Sequence, residues 1–112
     1  MHIYKEKKVT KNMNDTTDII SKERLEKYFD VTGRALKKVK IVSEKREIET
    51  QKIAEDYFDM AQRYFNDAKH FEKEGKIVLA YAALNYAHGW LDAGARLGLF
   101  DVDHDSILFT VD

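Results

Sequence analysis

The sequence predicts an all-α protein. It reads as a three-helix bundle whose second and third helices form an antiparallel hairpin, with a flexible N-terminal arm and a short C-terminal tail. Three observations lead there. The chain has no proline and only five glycines, too few turn formers for a many-stranded β fold. Its apolar residues recur at three- and four-residue steps instead of alternating. Hydrophobic residues fill 44% and charged residues 35% of the 112 positions, the balance of a soluble globular domain rather than a disordered or membrane one. This length suits one core, not two, and six Tyr, six Phe and one Trp supply its large side chains.

Residues 1–18 are rich in Lys, Asn and Thr without periodicity, the pattern of a flexible arm ahead of a bundle over 19–100. Helix one begins after Ser21, an N-cap residue type. Leu25, Tyr28, Phe29, Thr32, Leu36, Val39 and Val42 follow at helical spacing on one face. Gly33 interrupts that face at about 1 kcal/mol relative to Ala. The apolar pattern lapses over residues 43–50, where a loop or break is expected.

Helix two carries Ala54, Tyr57, Ala61, Tyr64, Ala68 and Phe71 in 3-4 steps, widened by Ile53, Phe58, Met60 and Phe65. A stripe this wide faces two neighbours. Gly75 is a helix-stop residue type, and a short turn follows into helix three. That third helix, about Ile77 to Leu97, is apolar nearly all round and is expected to be the most buried. Ala80, Ala83, Ala87 and Gly94 form a smooth strip for close helix packing, and Trp90 is expected in the core. Gly98 between Leu97 and Leu99 reads as a C′ cap. The tail, 101–112, divides into an acidic piece and the apolar run Ile107 to Val111, which lies over the bundle or docks on a neighbouring molecule.

The absence of cysteine excludes disulfide scaffolds, thiolate catalysis and Cys-based metal sites. No apolar run approaches the ~20 residues that cross a bilayer. The start, Met1 to Lys5, has no apolar core of a signal peptide, so a cytoplasmic protein with no membrane contact is expected. Charge is uneven. Residues 1–48 hold 13 Lys/Arg against 8 Asp/Glu, whereas 49–112 hold 6 against 12. The two halves are expected to pair with each other, with nucleic-acid contact by the basic half as the alternative.

The segment YFNDAKHFEKEGKIVLAYAALNYAHGWLDAGARLGLFDV, Tyr64 to Val102, carries a resemblance. It resembles an archaeal family of short helical proteins known as domain-of-unknown-function family 357, most specifically over Tyr86 to Phe100. The resemblance, looser back to Leu25, implies a compact helical bundle in an archaeal cytoplasm and assigns no activity. The hairpin is also similar to a tetratricopeptide unit at Gly75, Ala87 and Gly94, but a solenoid needs about three such units. Its rhythm of alanines and aromatics is similar to the HEPN class of helical domains. Some of those are ribonucleases that use an Arg and a His four to six residues apart, and here six residues separate Arg63 from His70.

Four constellations carry candidate chemistry. In an RNA-cleaving site His70 would exchange protons with a ribose 2′-hydroxyl while Arg63 holds the phosphate. Asn85, His88, Asp92 and Arg96 fall within an arc of about 80° on helix three, the candidate polar surface. It serves as a solvated edge, as a polar network capping the bundle or a dimer seam, or as a ligand site. A merely wet edge would use Lys and Glu, which this helix lacks. Arg34, Lys37, Lys38, Lys40 and Lys45 form a candidate basic patch attractive to phosphates, or simply suited to a helix C-terminus. Asp101-x-Asp103-x-Asp105 mimics the opening of a calcium loop, but Ser106 and Asp112 replace the Gly and Glu that such a loop needs. No metal and no cofactor are expected.

The expected function is a non-enzymatic protein-interaction module, whose ligand is a protein partner or a second copy. The alternative is an RNA-binding or HEPN-like ribonuclease-type domain using helix one and Arg63/His70.

Overall fold

The computed structural model describes residues 18–42 and 47–111. Most of the expected arm, together with Lys45 and Arg46, lies outside them. Three helices dominate: α1 (Lys22–Lys38), α2 (Ile48–Lys73) and α3 (Ile77–Arg96). Two short strands, β1 (Lys40–Ile41) and β2 (Phe100–Asp101), pair antiparallel with Ile41 opposite Phe100. Helices α2 and α3 pack along their length, and α1 leans mainly on α3.

The helix ends follow their local chemistry. Ser21 Oγ accepts the Arg24 N–H at 3.1 Å and caps α1. Helix α1 runs unbroken through Gly33 and ends at Lys38, earlier than the expected extension to Val42. Val39 turns extended there, and the β-branched run Ile41-Val42 pairs with the chain after α3. Both later helices close with the same backbone motif. At α2, Gly75 N–H bonds Glu72 O and Lys76 N–H bonds Phe71 O; at α3, Gly98 N–H bonds Ala95 O and Leu99 N–H bonds Gly94 O. Each motif needs a left-handed residue, and Gly75 (φ 75°) and Gly98 (φ 76°) supply it without a Cβ clash.

The core is built from the expected stripes. Ala54, Ala61 and Ala68 of α2 lie buried with Ala80, Ala83 and Ala87 of α3, so small residues let the hairpin helices approach closely. The second side of α2 reaches α1 and β2: Phe65 meets Phe29 edge-on at 5.9 Å, and Phe58 meets Phe100 at 6.5 Å. Gly94 is occupied ground, because a Cβ there would overlap the Phe100 ring. The alanine–glycine strip of α3 is therefore consumed inside the chain. The tail is also consumed there, since Val102, Leu108 and Phe109 are buried in the same core. Helix α3 departs from expectation on one side: its outer face is open to solvent.

Candidate functional site

The four polar residues of α3 do not form a wet edge. His88 is fully buried, Asp92 nearly so, Asn85 is half-buried and only Arg96 is exposed. His88 Nε2 lies 2.7 Å from the Leu108 carbonyl and Nδ1 lies 3.1 Å from Thr32 Oγ1. A carbonyl only accepts, so Nε2 carries the proton and the neutral ring's Nδ1 accepts the Thr32 hydroxyl. One imidazole thus joins α1, α3 and the tail. A turn further on, Asp92 Oδ1 accepts the Thr110 N–H at 3.0 Å, and Arg96 Nη1 reaches the Thr110 carbonyl at 3.4 Å. Successive turns of α3 hold successive groups of the tail backbone. Burial pushes the His88 imidazole below its ordinary value, against the opposing pull of Asp92, 3.8 Å away, and of the Leu108 carbonyl. Among its own neighbours Asn85 stands apart, because its buried Oδ1 has no partner among the described residues.

The tail reaches this clamp through a turn of its own. Asp103 and His104 take left-handed backbone conformations (φ 54° and 55°), which Asp and His tolerate better than most residues. Asp105 Oδ1 then accepts the N–H groups of Ile107 and Leu108, each at 3.0 Å. The Leu108 N–H foremost holds the Asp105 carboxyl below its usual value, with help from Ile107 and from the cations Lys38 and Arg34. Among the described residues no three His, Asp or Glu side chains gather as a metal site.

The basic patch faces this acidic turn. Lys37, Lys38 and Lys40 line one shallow cleft with Asp101 and Asp103, and Arg34, Lys37 and Lys38 line another with Asp105. Arg34 also pairs with Asp30 at 3.6 Å. Arg34 and Lys37 also line, with Lys69, Phe29 and Phe65, a cleft of about 400 Å³ between α1 and α2. Lys45, the fifth expected member, lies outside the described residues. Arg63 and His70 sit on exposed turns of α2, each beside its own carboxylate: Arg63 with Asp59 at 2.8 Å and His70 with Glu74 at 3.4 Å.

What the sequence reading did not single out is the outer face of α3. Val78, Ala82, Tyr86, Gly89, Ala93 and Leu97 are all exposed and recur at three- and four-residue steps, one continuous helix face. No charged residue occurs between Ile77 and Leu91. Beside this face Trp90 is half-buried, packed against the core as expected but at its margin. Its ring meets Tyr57 at 5.0 Å and Tyr86 at 6.2 Å, both edge-on, and its Nε1 has no partner among the described residues. Tyr57, Tyr86, Gly89, Trp90 and Ala93 enclose an apolar dent of about 230 Å³. The sequence held one signal for it, the long charge-free run, which reads equally as full burial.

Among the described residues no helix is long and apolar enough to cross a membrane. Comparison with curated proteins and with solved structures gives no significant match. The family model described as "Protein of unknown function (DUF357)" matches residues 27–100, from the first turns of α1 to the start of β2. That span covers well over half of the chain, which therefore belongs to this family.

Proposed function

We propose that the protein is a non-enzymatic protein-interaction module whose contact surface is the outer face of α3 together with Tyr57 of α2. One observation carries this reading. Val78, Leu79, Tyr86 and Leu97 are 70%, 48%, 51% and 62% exposed on one helix face, which carries no charge from Ile77 to Leu91. Large apolar side chains scattered singly are ordinary, but a contiguous set of them is the mark of a binding surface. Tyr86 at its centre and Trp90 at its edge add to this, because Tyr and Trp dominate the energetics of protein contacts. The polar stripe supports the same view from the other side. Its hydrogen bonds go to Thr32, Leu108 and Thr110 of the chain itself, so its task is to fix the tail. The proposal includes the archaeal cytoplasmic setting that the family resemblance implies.

RNA binding by the end of α1 has less behind it, since Asp101, Asp103 and Asp105 crowd the same cations. One experiment separates the two. Tagged chain is used to capture partners from native lysate, half of it nuclease-treated, beside a Tyr86→Lys/Ala93→Lys variant checked for helical content. A stoichiometric protein that survives nuclease and is lost with the variant supports the interaction surface. Capture that persists in the variant overturns it, and capture that vanishes with nuclease transfers the function to RNA.

A further inference from the structure

We infer that the occupant of this face is a second copy of the chain, docked as an antiparallel α3–α3 pair about a two-fold axis that passes midway between Tyr86 and Gly89. The inference rests on the interaction reading above and names its partner.

Gly89 is the starting point. A glycine inside a helix is about 1 kcal/mol less favourable than alanine and survives where something needs the space. Gly94 meets that condition within the chain, because a Cβ there would overlap Phe100, whereas one at Gly33 would make only a contact of 3.4 Å with Phe65. A Cβ at Gly89 would find nothing within 4 Å. Nothing in the chain's own packing asks for a glycine there, yet it lines the apolar dent together with Tyr86 and Trp90. The space is open to an external group.

The order of residues says which group fits. In a two-fold pair of antiparallel helices each residue lies opposite one that is equally far from the axis on the other side. An axis between residues 87 and 88 sets Tyr86 opposite Gly89 of the second copy, Ala82 opposite Ala93, and Val78 opposite Leu97. All six residues are exposed. The largest side chain of the face meets the position with none, the two alanines meet each other, and two aliphatic side chains close each end. Tyr86 finds the gap at Gly89 twice over; the face carries no charge from Ile77 to Leu91, and Arg96 falls opposite Leu79 at each end.

The area sets the strength. From Val78 to Leu97 the face runs about 28 Å, and with the α2 shoulder it is about two helix widths, ~20 Å, across. That gives roughly 500–600 Å² per copy, short of the ~800 Å² of a standard interface. The dimer is therefore a micromolar or weaker one, formed as concentration rises.

The natural chain has no cysteine, so cross-linking reports register cleanly. Ala82→Cys and Ala93→Cys chains, mixed and oxidised, are expected to yield the 82–93 heterodimer in clear excess over 82–82 and 93–93 products. Sedimentation equilibrium of the wild-type chain is expected to show a reversible dimer. Gly89→Leu, whose Cβ meets nothing within 4 Å, is expected to weaken it by about tenfold or more. Predominant 82–82 or 93–93 links overturn the antiparallel register. A chain that stays monomeric up to about 1 mM overturns the second copy as occupant. In that case a lysate protein lost with the Tyr86→Lys/Ala93→Lys variant leaves the interaction surface standing, whereas no such loss removes both.

Discussion

Replacing His88 by leucine removes the one side chain that ties α1, α3 and the tail together while nearly conserving volume. Thr32 can turn its hydroxyl to a carbonyl of its own helix, so its loss is small. The Leu108 carbonyl has no such escape and is left buried without its 2.7 Å donor, at a cost of about 1–3 kcal/mol. Some apolar burial is regained, and a net loss of about 2 kcal/mol is expected, or roughly 8–12 °C in Tm for a domain of this size. The same group sets a pH dependence. Burial lowers the His88 pKa, so the folded chain binds fewer protons at this site than the unfolded chain. The stabilisation is complete above an ordinary histidine value of about 6.5 and is lost as pH falls below it toward the folded value. The slope in that window is at most about 1.4 kcal/mol per pH unit, with Asp92 opposing it. Thermal melts followed by circular dichroism between about pH 7.5 and 5, on wild type and His88→Leu, read both effects. An unchanged Tm at pH 7.5, or the same acid slope in both proteins, would refute the clamp.

Three further outcomes follow from the packing. Gly89→Ala is expected to stabilise the monomer by up to about 1 kcal/mol, and Gly94→Ala to destabilise it by about 1–3 kcal/mol through displacement of Phe100; equal effects in denaturant titrations would contradict the two glycine environments. Phe109→Ala removes a fully buried ring and should lower stability by about 3–5 kcal/mol, measured by the same titration, whereas a free tail would lose almost nothing. Asp105→Ala deletes the acceptor of the Ile107 and Leu108 N–H groups and is expected to cost about 1 kcal/mol, with faster amide exchange at those two residues as its signature.

The helices were legible because their signals are local. Ser21, Gly75 and Gly98 mark ends through cap chemistry that depends on a few neighbours, and the wide stripe of α2 stated directly that it touches two partners. Strands β1 and β2 were not legible, because two residues each are too short to alternate. The tail posed a different difficulty: Leu108 and Phe109 are apolar in any reading, and only the assembled bundle shows a place for them. The stripe of Asn85, His88, Asp92 and Arg96 gave half its meaning away by using short polar groups where a wet face would use Lys and Glu. Its partners, Thr32, Leu108 and Thr110, come from two distant segments and left no trace in spacing. The outer face of α3 was hidden by the same rule that found the helix, since an apolar run on all sides reads as burial whether or not the chain has enough mass to cover it.

Trp90, the sole tryptophan, sits at the edge of that face and reports on it without modification. Its emission and acrylamide quenching, followed as the purified chain is concentrated from about 1 μM to about 1 mM, test the interface directly. Burial of the Tyr86–Gly89 face by a second copy requires a blue shift and falling quenching with concentration, both abolished in Gly89→Leu. Emission and quenching that stay constant over the whole range would contradict it.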